Sequence, residues 1–138
     1  MRARSAQRDL FTKRIRALPP APEYSLHVMI ADVLRRWSSP DWRWTHIPLG
    51  EYRPPATAAR LQRMGVMPGW PDFILLSPAG VAHFLELKRS KGGRLSPAQA
   101  DFTEWCIEHG VACEVRHRFD DALQQLKAWG AVRASVSA

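Results

Sequence analysis

The sequence predicts an α/β domain, a mixed β-sheet flanked by helices. Three observations carry that expectation. Gly69 to Lys88 holds two apolar runs around a turn signal, Ser77-Pro78-Ala79-Gly80, and reads as an antiparallel hairpin. Segments 23–37, 97–108 and 120–129 carry apolar residues at helical spacing. A further apolar run, Val111 to Val115, falls between the second and third of these helices. The resulting order is helix, strand, short helix, hairpin, helix, strand, helix.

Residues 1–22 carry six basic side chains, Arg2, Arg4, Arg8, Lys13, Arg14 and Arg16, against the single acid Asp9. Asp9 to Ala17 could form a short basic helix, which Pro19-Pro20 and Pro22 would stop. This stretch reads as an arm outside the core, available for phosphate contact or simply solvated. Glu23 to Trp37 is a helix with Leu26, Ile30, Val33, Leu34 and Trp37 on one stripe. Glu23 lies in its first turn, where a carboxylate favours the helix dipole. Ser38-Ser39-Pro40-Asp41 ends it. Trp42, Trp44 and Ile47 alternate with polar residues and predict a first strand.

Tyr52 to Pro55 reads as a loop and Ala56 to Met64 as a short helix with Gly65 as its cap. Arg60 and Arg63 on its polar side could hold phosphate or only solvate the helix. Trp70, just before Pro71, is expected to pack at the mouth of the hairpin end, with stacking on a base as the sharper alternative. Arg89-Ser90-Lys91-Gly92-Gly93-Arg94 is a basic loop. Ser96 should cap the next helix, with Pro97 at its first position. That helix runs to about Glu108 and should bury Ala98, Phe102, Trp105 and Cys106. Gly110 ends it. Val111, Cys113 and Val115 share a face of the last strand. Asp120 or Asp121 opens a final helix with Leu123, Leu126 and Trp129 as its stripe, closed by Gly130, and 131–138 reads as a frayed tail.

A chain of 138 residues, 46% hydrophobic, is long enough for one packed core. Its net charge of +7 favours a polyanionic partner, nucleic acid before an anionic membrane. Cys106 and Cys113 belong to no zinc or redox spacing and read as core residues of a reducing intracellular compartment such as the cytoplasm. A disulfide between them is left open. No apolar run approaches the roughly 18 residues of a membrane span, and no secretion signal is expected. Gly-rich phosphate loops, Ser-His-Asp spacings and internal repeats are not evident, so no organic cofactor is expected.

The hairpin places charge where packed strands rarely carry it. Phe84, Glu86 and Lys88 fall on one face and Leu85 and Leu87 on the other. If Leu76 pairs with Val81 across the turn, Asp72 lies opposite Leu85 and diagonal to Glu86, within reach of it. Two converging carboxylates are costly without a cation, and a hard divalent ion is the natural resolution.

Pro71-Asp72, Glu86-Leu87-Lys88 and Leu95-Ser96-Pro97-Ala98-Gln99, led in by Gly65-Val66-Met67-Pro68-Gly69, resemble the PD-(D/E)XK nuclease superfamily. More closely, they resemble the VRR-Nuc domain within it. The resemblance extends from about Glu23 to Gly130, which delimits a nuclease-like domain over residues 23–130 between the arm and the tail. It implies a restriction-endonuclease-like core and a nuclease that cleaves DNA phosphodiester bonds with Mg²⁺ or Mn²⁺. Asp72, Glu86, the Leu87 carbonyl and Glu23 are the implied metal ligands. Asp72, Glu86, Lys88 and Gln99 are the implied catalytic set. Arg60, Arg63, Arg89, Lys91 and Arg94 are the candidate nucleic-acid contacts.

Glu23-x-x-Leu26-His27 resembles the family's Glu-x-x-[Ile/Leu]-Gln run, with His27 where Gln is usual. His46-Ile47-Pro48 resembles the end of the family's first strand, followed here by Leu49-Gly50 where Asn is frequent. His46 is expected at the edge of the site rather than as a ligand, with no second His at ligand spacing. Stand-alone members resemble junction-cleaving enzymes that act as dimers, so selectivity for branched DNA and a homodimer are further implications. The alternatives are a non-catalytic nucleic-acid-binding module with a degenerate nuclease fold, and an interaction protein in which Glu86 and Lys88 are only a strand face.

Overall fold

The computed structural model describes residues 22–89 and 92–137. The arm as far as residue 21 and Lys91, both singled out in the sequence, lie outside the described residues. The elements run α1 (Pro22–Trp37), β1 (Arg43–His46), α2 (Pro55–Arg63), β2 (Phe73–Leu76), β3 (Ala82–Leu87), α3 (Pro97–His109), β4 (Ala112–Arg116) and α4 (Phe119–Trp129). The expected order holds throughout.

The strands form one mixed sheet in the order β1-β2-β3-β4. The first two pairings are antiparallel, and β3 pairs with β4 in parallel. The parallel pair requires a crossover, which α3 supplies between the two strands.

Both faces of the sheet are covered. Leu26, Ile30 and Leu34 of α1 and Ala122, Leu123 and Leu126 of α4 pack on Phe73, Leu75, Leu85 and Leu87. On the other face, Phe84, Cys106 and Cys113 are buried with Phe102 and Ile74 against them. This two-sided burial explains why β3 reads as a nearly continuous apolar run rather than an alternating one. Cys106 and Cys113 are free thiols in that second layer.

Three helix ends follow their sequence signals, whereas α4 opens at Phe119 after Arg118 with no side-chain cap, so Asp120 and Asp121 lie within its first turn rather than beginning it. Ser96 caps α3 in a full capping box, its hydroxyl accepting from Gln99 N while the Gln99 side chain accepts from Ser96 N. Gly110 and Gly130 close α3 and α4 in the left-handed conformation.

Four further expectations are corrected. In the hairpin register Leu76 pairs with Ala82, not Val81, and Phe73 with Leu85. Ser77 N bonds to Val81 O, so the connection takes one more residue than the turn signal suggested. One step along, this register sets Asp72 opposite Glu86 rather than diagonal to it. Trp105 is half exposed and stacks on His109 at 4.1 Å instead of entering the core. Trp37, at the end of the α1 stripe, is also half exposed. Finally, the segment after Gly130 does not begin frayed. Ala131 and Val132 are buried, and Val132 bridges to Ser38. The small apolar side chains fill the gap between the ends of α1 and α4, which residue-by-residue reading cannot anticipate.

Candidate metal centre at the end of the sheet

One end of the sheet gathers the polar residues. His46 closes β1, Asp72 immediately precedes β2, Glu86 and Leu87 end β3, and Lys88 follows. Two helices bring the remainder. The first turns of α1 carry Glu23 and His27, four residues apart and therefore on one helix face. The first turn of α3 carries Gln99.

Asp72 and Glu86 hold one another through the backbone. Asp72 N donates to Glu86 Oε2 at 3.1 Å, and Leu87 N donates to Asp72 Oδ2 at 2.7 Å. The Asp72 carbonyl accepts from Ile47 N at 2.6 Å and lies 2.7 Å from His46 Nδ1. A carbonyl only accepts, so His46 Nδ1 carries the proton. The Asp72 main chain is thus held from β1 and its side chain from β3.

Glu86 is only 3% exposed. Its Oε1 accepts from Gln99 Nε2 at 2.9 Å and lies 3.3 Å from Lys88 Nζ. Burial and the nearby Asp72 carboxylate together push its pKa up to about 7, against the opposing pull of Lys88. Lys88 Nζ also lies 4.0 Å from Glu23 Oε1. Its main chain is fixed by Lys88 N donating to Arg116 O at 3.0 Å across the parallel pair.

Gly69 and Gly93 frame this end. Gly69 has φ +92°, and a Cβ there would collide with the Ala98 carbonyl oxygen at the start of α3. Only glycine lets the lead-in to Asp72 lie directly on the helix that carries Gln99. A Cβ on Gly93 would meet the Arg89 backbone. Trp70 packs on Phe102 and Phe84, at 4.7 and 5.8 Å between ring centroids, as expected for a packing residue.

Every acid, lysine and amide named from the sequence as a ligand or catalytic group reaches this end. The arginines are more dispersed. Arg60 and Arg63 are exposed on α2, and none of the ion pairs among the described residues joins them to the acids. Arg89 is exposed, its carbonyl 3.2 Å from His117 Nδ1, and Arg94 is exposed as well.

Two histidines are closer to the acids than the sequence suggested. His27, His46 and Asp72 each offer a ligand atom within 4.8 Å of the others. The expectation that His46 has no second His at hand is therefore corrected: its partner comes from α1, nineteen positions earlier in the chain. His27 Nε2 lies 3.4 Å from Asp72 Oδ2, close enough for electrostatic attraction but without a hydrogen bond. Burial, the largest single influence on His27, favours its neutral form. The carboxylates of Asp72, Glu23 and Glu86 together outweigh it and raise the pKa above the ordinary value.

The buried Glu86, its pKa elevated, beside the half-buried Asp72 carboxylate and an orphaned imidazole nitrogen, fits a divalent cation. Among the described residues, no helix is long and apolar enough to cross a membrane.

The family model for the VRR-NUC domain matches residues 26–119. A solved structure titled as a VRR-NUC domain protein superposes with a TM-score of 0.64 at 20% identity, covering 81% of this chain and 90% of its own. A second, titled as a VRR-NUC domain, gives a TM-score of 0.52 at 18% identity, covering 77% and 94%. No curated protein matches the chain.

Proposed function

Because the chain belongs to the VRR-NUC domain family, we propose that it is a nuclease hydrolysing DNA phosphodiester bonds with Mg²⁺ or Mn²⁺. The observation that carries this reading is the placement of Asp72 against Glu86, with Lys88 and Gln99 both on the buried Glu86 carboxylate.

Asp72, Glu86, the Leu87 carbonyl and Glu23 would hold the ion. A bound divalent ion supplies Lewis-acid polarisation of the phosphate and lowers the pKa of its water. Lys88, its Nζ 3.3 Å from Glu86 Oε1, is the cation beside the acids. Its ammonium would orient the nucleophile and offset charge on the phosphoryl oxygens. Gln99 acts through Glu86: its amide donates to Oε1 and fixes the carboxylate's orientation, so it is a positioning residue. The Asp72 main chain, tied to His46 and Ile47, keeps its carboxylate aimed at the same point.

The exposed Arg60, Arg63, Arg89 and Arg94, with Lys91 and the basic arm, are proposed phosphate contacts. These would position a duplex without reading its sequence. Selectivity for branched DNA, and a pairing of two chains for two cuts, belong to the same proposal.

The test is a cleavage panel of duplex, flap, branched and single-stranded DNA with Mg²⁺ or Mn²⁺, run beside Asp72→Asn and Glu86→Gln. Cleavage by the wild type, abolished in both variants while they still bind DNA, is expected. Wild-type binding without cleavage of any substrate would favour a degenerate, non-catalytic module.

A further inference from the structure

We propose that His27 supplies an imidazole nitrogen to the ion held at Asp72, and that this ligand biases the centre toward Mn²⁺ and other nitrogen-binding ions over Mg²⁺. The inference rests on the metal-centre reading above and extends it to a residue outside the acidic set.

Three observations converge on His27. Its Nε2 is buried and makes no hydrogen bond among the described residues. A buried polar atom without a partner is costly, so its position calls for a ligand. That atom lies 3.4 Å from Asp72 Oδ2. Neighbouring ligands on one ion sit at about this spacing, because each bonds at roughly 2.0–2.2 Å. The ring is also held in place by its neighbours: the His46 edge at 5.3 Å and Phe73 at 5.9 Å between centroids. Its aim toward Asp72 is therefore a property of the packed α1–sheet interface and not of a free rotor.

The metal preference follows from ligand chemistry. Mg²⁺ favours oxygen ligands and retains water, whereas imidazole binds first-row transition ions well. A histidine at this position offers a nitrogen lone pair, which an amide side chain does not. His46 donates from Nδ1 to the Asp72 carbonyl, which leaves its Nε2 with a lone pair. The buried nitrogen without a partner is that of His27, so the ligand role is assigned there and His46→Gln serves to separate the two.

Pulsed EPR on the Mn²⁺-loaded full chain reads a coordinated nitrogen directly, as ¹⁴N modulation of the echo. Modulation is expected in the wild type and in His46→Gln, and its loss is expected in His27→Gln and His27→Ala. Calorimetry should show Mn²⁺ binding weakened about tenfold or more in His27→Gln, equivalent to about 1.4 kcal/mol, with Mg²⁺ binding changed far less. Circular dichroism checks that both His27 variants fold. Asp72-dependent Mn²⁺ binding without nitrogen modulation in the wild type would overturn the role of His27 and leave the metal centre standing. Modulation that survives in both His27 variants would overturn it equally. Mn²⁺ binding that is absent, or unaffected by Asp72→Asn, would overturn this inference and the metal-centre reading together.

Discussion

Gln99 joins Glu86 to a helix cap: its Nε2 donates to Glu86 Oε1 at 2.9 Å while its Oε1 accepts from Ser96 N at the same distance. One amide thus completes the capping box of α3 and restrains the buried acid of the site. Folding of the helix terminus and orientation of the carboxylate are coupled through a single side chain.

That coupling can be separated by mutation. Ser96→Ala removes the hydroxyl that accepts from Gln99 N and should cost about 1 kcal/mol. It leaves the Gln99 amide on Glu86, so divalent binding should change little. Gln99→Ala should cost a similar amount but also weaken metal binding and slow cleavage. Urea unfolding beside metal calorimetry distinguishes the two, and equal metal affinities in both variants would contradict a positioning role for Gln99.

Glu86 makes the metal-free protein pH-dependent. Its folded pKa, about 7, lies above the ordinary 4.5. The folded state therefore binds the proton more tightly than the unfolded chain. The associated stability is fully present below pH 4.5 and is lost as pH rises through about 7, on the order of 3 kcal/mol in all. The raised pKa of His27 acts with the same sign. In EDTA the melting temperature should fall between pH 5 and 8, and Glu86→Gln should flatten that slope. Adding Mn²⁺ at pH 8 should restore wild-type stability, because the ion binds only the folded site.

Lys88 and the two acids should respond in opposite ways. Removing either acid should remove a proposed ligand and weaken divalent binding. Lys88→Ala removes the cation that competes for Glu86, so metal affinity should hold or rise while single-turnover cleavage falls by at least about a hundredfold. Parallel declines in affinity and rate would assign Lys88 a structural role.

The close approach of Gly69 to α3 predicts a contrast between two positions with similar backbone. Gly69→Ala brings a methyl against the Ala98 carbonyl at positive φ and should cost at least about 2 kcal/mol, with the site disturbed as well. Gly80, also at positive φ, faces open space. Gly80→Ala should cost only about 1 kcal/mol and spare metal binding. Thermal melts of the pair, with metal calorimetry, test whether close approach rather than backbone conformation is what requires glycine at 69.

The exposed arginines of α2 are proposed phosphate contacts and should bear on substrate binding alone. Arg60→Ala with Arg63→Ala should flatten the log–log salt dependence of duplex binding by about 0.9 for each phosphate left without its arginine. Metal affinity should be unchanged. An unaltered slope would make these residues a solvated helix face.

The order of elements, the acids at one hairpin end and the cap of α3 are all legible in the chain before it folds. Each is a local property: periodicity, a turn signal, or a serine three residues before a glutamine. Relations between elements are of another kind. The hairpin register shifted by one residue because the Ser77–Val81 connection is closed by backbone bonding, and that shift sets Asp72 opposite Glu86. His27 and His46 meet at Asp72 only when α1 packs on the sheet and β1 pairs with β2. The signal for His27 was present, four residues after Glu23 on one helix face, but its target was not. Trp105 carries a core residue's hydrophobicity yet lies half exposed, whereas Ala131 and Val132 are buried where a tail was expected. Side-chain chemistry limits what each residue can do; the packing of distant segments selects which groups share a low-dielectric space, and there their charges and lone pairs acquire a common function.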